Sequence, residues 1–362
     1  MVPRAHSPCI GAPGATLVSG KARLVVDLKS ELKRIRPLDL ALVVVAVAVV
    51  VLGAYLGWSV WAHNQQVVSS TPANRAVEAI KADLRKDPNN LDLRMQLAQA
   101  LLVAQRRDEA VQQYTAVLKA SKDYVPALAG LGFVAMREKD WKTGEKYYTK
   151  VVELLANTEY AGRNRTLETA YFYLGTALME QKKYEEAVGY FKEALRIRRD
   201  ASDTHYALAV TYKNLDSMSK YRDELEAAVA FDPKMPEANY DLALILIDEG
   251  EVGRAAELLR TSIDNAPGVD EPQVALDELG PFEKRFAAAK KLGVADLQNA
   301  LEEARVAAAL EPTNIDALKL LGSLWESSGD LDNAQSAYDR ILAIDPQDAE
   351  AKASVERLAN AQ

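Results

Sequence analysis

Few residues in this chain could do covalent or metal chemistry, and they are badly spaced for it. The histidines, His6, His63 and His205, are scattered along 362 residues, and Cys9 is the single cysteine. A zinc or iron–sulfur centre needs several such ligands at one point, and a disulfide framework needs more than one cysteine. Carboxylates are abundant, but pairs such as Glu185–Glu186 and Glu302–Glu303 sit among Lys and Arg. That spacing reads as solvated helix surface rather than as two acids held for proton transfer. The chain has no HExxH, GxSxG, phosphate-binding loop or dinucleotide GxGxxG. The expectation is a protein that is not an enzyme and carries no cofactor and no metal. Asn164-Arg165-Thr166 forms a glycosylation triplet, meaningful only in a lumenal eukaryotic setting.

Charge excludes another class. Residues 1–39 carry seven Lys and Arg against three Asp and Glu, whereas the remaining 323 residues carry a formal charge of −12. A body this acidic lacks the cations that phosphate neutralisation requires, so no nucleic acid is expected as partner.

Around residue 40 the composition changes. Residues 40–61 contain no charge in 22 positions. A helix of that length covers about 33 Å, enough for a hydrocarbon core of roughly 30 Å. The segment 38–62 is therefore expected to be a transmembrane helix, in contact with membrane lipid. Lys21, Arg23, Lys29, Lys33, Arg34 and Arg36 precede it, whereas residues 62–74 hold no Lys or Arg. The positive-inside rule then puts the N-terminus in the cytoplasm and the C-terminal body outside it, most simply across a bacterial cell membrane. A cleaved signal peptide would have a shorter apolar run and a shorter leader. Gly53 and Gly57 form a GxxxG, a pattern common in membrane helices because glycine is, but also one that drives homodimers. Residues 1–20, rich in Pro, Gly, Ala and Ser, read as a disordered tail. In 21–36 Leu24, Val25, Leu28, Leu32 and Ile35 recur at helical spacing among basic residues, as in an amphipathic juxtamembrane helix. Residues 63–74, polar and uncharged, read as a linker.

From residue 75 the chain repeats. Turns holding Pro recur at Asp87–Pro88, Asp232–Pro233, Ala266–Pro267, Glu311–Pro312 and Asp345–Pro346, and the period is 34 residues. Within the units small residues alternate with large ones at helical spacing. Examples are Leu131, Gly132 and Tyr148; Leu174, Gly175, Ala187 and Phe191; Leu208, Ala209 and Tyr221; and Leu321, Gly322, Ala334 and Tyr338. Small residues let two helices approach and large ones fill the space beside them. One hairpin cannot bury its apolar faces alone, but a stack can.

This pattern resembles the tetratricopeptide repeat. The resemblance covers 75–362, with units near 91–124, 125–158, 168–201, 202–235 and 236–269, a degenerate one at 281–314, one at 315–348 and a cap at 349–362. It implies an all-α solenoid of helical hairpins, about six to seven repeats, following the single transmembrane helix. Extra residues at 159–167 and 270–280 interrupt the array, which is expected to bend or split at the degenerate unit.

The resemblance also implies a concave groove lined by the first helix of each hairpin, at positions 2, 5, 9 and 12 of the unit. Here those positions give Met95 and Gln99; Phe133 and Met136; Phe172, Thr176 and Met179; Tyr206 and Val210; and Tyr240 and Leu244. Three of the six methionines fall there, adaptable and polarizable residues suited to variable partners. The expected ligand is an apolar or amphipathic segment of a protein or peptide. The family's carboxylate clamp is not matched, because Lys213 and Asn214 are the only basic–amide pair in this stretch. His205, at a large-residue position, is expected to be packed. The function expected is a membrane-anchored scaffold for envelope assembly, or chaperone-like, of the type that serves cytochrome c maturation. The alternatives are a cytosol-facing receptor of the organelle-import type, which the flanking charges oppose, and a self-associating structural membrane protein.

Overall fold

The computed structural model describes residues 46–59 and 71–360. The tail 1–20, the basic segment 21–36 and most of the 63–74 linker lie outside the described residues. Of the segment 38–62, residues 46–59 are described; they are helical, with Val50, Leu56 and Trp58 exposed. Open space surrounds the positions a Cβ would take at Gly53 and Gly57. No helix among the described residues is long and apolar enough to cross a membrane.

The body is all α, with seventeen α-helices and two 3-10 turns among the described residues. A lone helix α1 (Pro72–Lys86) comes first. Hairpins follow: α2 (Leu91–Val103) with α3 (Arg107–Ala120), α4 (Val125–Arg137) with α5 (Trp141–Leu155), and α6 (Arg165–Glu180) with α7 (Tyr184–Ile197). Next come α8 (Ser202–Asn214) with α9 (Met218–Phe231) and α10 (Pro236–Glu249) with α11 (Val252–Asn265). A short helix α12 (Glu271–Glu278) precedes α13 (Phe282–Leu292) with α14 (Leu297–Leu310). The last hairpin is α15 (Ile315–Ser328) with α16 (Leu331–Ile344), and α17 (Ala349–Ala359) ends the array. Below, the first helix of each hairpin is its A helix and the second its B helix.

Local chemistry fixes the boundaries. Helix α1 begins three residues earlier than the repeat pattern suggests, inside the expected linker. Thr71 Oγ1 accepts the Asn74 amide at 3.2 Å, and Pro72 occupies the first helical position, where no N–H is missed. Asn90, Asp140, Asn164, Asn314, Asp330 and Asp348 cap later helices through their side-chain oxygens. Asn164, of the glycosylation triplet, is one of these caps. Every regular A–B turn places one residue in the left-handed region: Gln105, Lys139, Lys182, Asp216, Gly250 and Gly329. Only two of the six are glycine, so four turns hold that conformation against the steric cost of a Cβ.

Packing explains the small–large pattern. A Cβ on Gly132 would lie 2.9 Å from the Tyr148 ring, one on Gly175 2.9 Å from Phe191, and one on Gly322 2.8 Å from Tyr338. The A-helix glycine is thus the floor on which the B-helix aromatic rests. Phe191 is fully buried, and a side chain of its size contributes roughly 2–3 kcal/mol by leaving water.

The stack changes register after α11. In regular units the next A helix packs on the preceding B helix, but here the short α12 takes that place and α14 packs directly on α11. Residues 282–292 do form a helix, although the family's A-helix pattern is absent, and Ala289 is its one buried residue. Two apolar clusters meet at α14. Val306 and Ala309 belong to a cluster reaching back to Leu128, and Ala300, Leu301, Ala304 and Ala308 to one reaching forward to Leu358.

Candidate functional site

Eight of the eleven candidate groove residues are half-buried on four successive A helices: Phe133 on α4; Phe172, Thr176 and Met179 on α6; Tyr206 and Val210 on α8; Tyr240 and Leu244 on α10. Gln99 on α2 is exposed. Met95 and Met136 are 7% and 8% exposed and offer no groove surface. Met95 belongs to the cluster of Val77, Leu97 and Tyr114, and the Met136 sulfur occupies the space beside Gly144 of its own hairpin. Of the three methionines counted onto this face, only Met179 keeps surface. The groove owes its character to aromatic rings more than to methionine.

One ring the position count passes over is Tyr173. It stacks on Tyr148 at 5.1 Å, and Phe133 and Phe172 meet it edge-on at 6.1 and 5.3 Å. It ties α4 to α6 and holds two groove rings in fixed orientations. Its signal in the sequence is a large aromatic where neighbouring units carry Gly130 or Ala207.

Toward α10 the groove becomes polar. The Tyr206 hydroxyl donates to Asp241 Oδ2 at 3.2 Å; Lys213 Nζ lies 3.7 Å from Asp241 Oδ1 and donates to the Tyr221 hydroxyl at 3.2 Å. Burial, and then Asp241, push both phenols above the ordinary tyrosine range, so they remain hydrogen-bond donors. A cavity of about 360 Å³ lies here, lined by Tyr206, Tyr240 and Asp241 on one side and by Glu271 and Pro272 of α12 on the other. Helix α12 thus closes the run of groove helices after α10.

The remaining chemistry-bearing residues do structural work. His205 Nδ1 is 2.7 Å from Glu224 Oε2 and Nε2 is 3.0 Å from the Arg199 carbonyl, and its ring stacks on Phe231. Both partners are acceptors, so the ring donates from both nitrogens only as imidazolium. Burial opposes that charge, but the two hydrogen bonds outweigh it and raise the pKa. Glu185 and Glu186 are exposed in the first turn of α7. Glu302 and Glu303 are not free surface acids. Glu302 Oε2 accepts the Gly253 amide at 2.7 Å and Glu303 pairs with Arg285 at 2.9 Å. Among the described residues no group of three or more His, Cys, Asp or Glu could hold a metal ion.

Family models described as tetratricopeptide repeat match residues 124–200, 70–136, and 222–270 with 291–349. Photosystem I assembly protein Ycf3 of Cyanophora paradoxa is 28% identical over 116 residues, 31% of this chain and 66% of that protein. The formate-dependent nitrite reductase complex bifunctional subunit NrfFG of Haemophilus influenzae is 27% identical over 135 residues, 37% of this chain and 34% of that protein. The chain therefore covers just under two thirds of the first and about one third of the second. Among solved structures, YrrB, a tetratricopeptide-repeat protein with an unusual peptide-binding site, aligns at 18% identity and TM-score 0.44, covering 55% of this chain and 98% of that one. PilF of Pseudomonas aeruginosa aligns at 17% and 0.43, covering 75% and 97%.

Proposed function

The chain belongs to the tetratricopeptide-repeat family, and from that premise we propose that it is a non-catalytic scaffold, binding an apolar or amphipathic segment of a partner protein in the groove of α4, α6, α8 and α10. The observation that carries this is the row of half-buried Phe133, Phe172, Met179, Tyr206, Tyr240 and Leu244, an apolar surface with rings already oriented. Pre-oriented rings lose little freedom when a ligand docks. The polar group at Tyr206, Lys213 and Asp241 gives the segment a polar end to read.

The scaffold holds partners during assembly of a larger complex. One relative is named as an assembly protein and the other as a subunit of a reductase complex. In this reading residues 38–62 anchor the chain in a membrane, with six Lys and Arg on the cytoplasmic side and the repeat body on the other. Gly53 and Gly57 leave a face on which two anchors could pair.

Two experiments test this. Phe172→Glu with Tyr240→Glu should abolish co-purification of the partner from solubilised membranes, while Lys192→Glu on α7 leaves it intact. Alkaline phosphatase fused after residue 362 should be active, and green fluorescent protein at that point dark; the reverse pattern overturns the orientation.

A further inference from the structure

The change of register after α11 opens a second concavity, on the B-helix side of the array. Helices α11 and α16 form its walls and α14 its floor, and it encloses about 510 Å³. The floor is low because α14 presents Ala308 and Ala309 where a larger side chain would fill the space. Three arginines reach in, one from each helix: Arg260, Arg305 and Arg340.

Two of them are satisfied. Arg305 grips both oxygens of Glu257 at 2.6 and 2.9 Å and also reaches Glu302 at 3.3 Å. Arg260 holds Asp264 through two nitrogens, at 2.6 and 2.9 Å. Arg340 differs. Among the described residues no carboxylate lies within 4 Å of it, and its hydrogen bond is a long one, 3.5 Å to the Ala308 carbonyl. Burial pushes its pKa below the ordinary arginine value despite Glu257 and Asp264 nearby. A guanidinium keeps its charge under these conditions, so a partly dehydrated cation faces the cleft with most of its five donors unused. The repeat body around it is strongly acidic.

We propose that this cleft is a recognition site for a carboxylate carried on a partner polypeptide, an Asp or Glu side chain or a C-terminus, with Arg340 as the residue that pairs with it. The pairing selects the ligand. Arg305 holds Glu257 and Glu302, and Arg260 holds Asp264, which leaves Arg340 as the one lining guanidinium without a carboxylate partner, a single fork that one carboxylate would fill. A guanidinium fork meets a carboxylate through two parallel hydrogen bonds. Leu321, Pro312 and Ile344 supply apolar wall for the carbon stem behind that group. The site is chemically unlike the aromatic groove and stands or falls without it.

The test uses the full chain in detergent and a tetramethylrhodamine-labelled hexaglutamate peptide, read by fluorescence anisotropy, with hexaglutamine as the neutral control. Saturable binding of hexaglutamate alone is expected. Arg340→Gln should weaken it roughly tenfold or more, the loss of one charge-assisted contact. Ala343→Trp, at an exposed position on the cleft wall, should weaken it comparably by filling the space, and keeps the test open if Arg340→Gln melts early. Phe172→Ala in the groove should leave it unchanged. The proposal is overturned if hexaglutamine binds equally, or if Arg340→Gln and Ala343→Trp both bind as the parent does. It is also overturned if, at matched ionic strength, inorganic phosphate displaces the peptide at lower concentration than acetate.

Discussion

Arg198 joins two hairpins, and removing it should cost more than any surface charge. Its guanidinium reaches Glu168 Oε1 on α6 at 3.0 Å and Asp203 Oδ1 on α8 at 3.1 Å. The Glu168 side chain is only 4% exposed and Arg198 26%. At 3.0 Å and an effective dielectric of about 20, the pair attracts by about 5.5 kcal/mol, much of it offset by desolvation of both ions. Deleting one partner removes the attraction and leaves the cost. Buried pairs broken in this way lose about 3–5 kcal/mol, and the partial exposure of Arg198 places this one near the lower figure. Arg198→Ala should therefore destabilise the body by about 3 kcal/mol at pH 7. Adding Glu168→Gln removes the stranded charge and should recover about 2 kcal/mol of that. Urea unfolding followed by circular dichroism measures both, and hydrogen exchange in α6 and α7 locates the loss. A cost below about 1 kcal/mol for Arg198→Ala, or no recovery in the double variant, would show that the pair behaves as an exposed surface contact.

Three further outcomes follow from the same geometry. His205 has a raised pKa in the folded state, so its contribution is fully present below the unfolded value of about 6.5 and is lost as pH rises through the folded value. The urea midpoint should fall between pH 5.5 and 8.5, and His205→Gln should flatten that slope. Gly175→Ala forces a Cβ to within 2.9 Å of Phe191 and should cost about 1–3 kcal/mol, whereas Gly189→Ala meets nothing within 4 Å and should stabilise by up to about 1 kcal/mol. Thermal melts of the two variants should shift in opposite directions. At the A–B turns, Gly250→Ala (φ 85°) should cost about 1 kcal/mol, while Lys182→Gly (φ 62°) should change stability by no more than about 0.5 kcal/mol. There the relief of strain and the added chain entropy nearly cancel, which denaturant titration can resolve.

How much of this was legible in the sequence depends on how local each signal is. The hairpins were legible because their determinants repeat. Gly132, Gly175 and Gly322 sit opposite Tyr148, Phe191 and Tyr338 at constant spacing, and caps such as Asn314 and Asp348 recur with them. That eight of the candidate positions keep some surface follows from helix period and position in the unit, which fix the face each residue takes. Met95 and Met136 were not, since burial depends on neighbouring elements, Met136 filling the gap that Gly144 leaves. The register change was legible only as an interruption. It is a long-range packing of α14 on α11, accompanied by the Gly253 amide donating to Glu302 across 49 residues, and Glu302 reads locally as an ordinary surface acid. The Arg340 cleft was invisible for the same reason, because its three arginines come from helices far apart in the chain.

The face formed by α4, α6, α8 and α10 is the proposed working surface. It is tested most directly by a photo-crosslinking residue in place of Phe133, half-buried on α4, and in parallel in place of Lys192, exposed on B helix α7. Illumination of intact cells should join one defined protein to the Phe133 position and not to the Lys192 position, and Phe172→Glu should abolish the product. No product at Phe133, or the same proteins at both positions, would rule this face out as the binding surface.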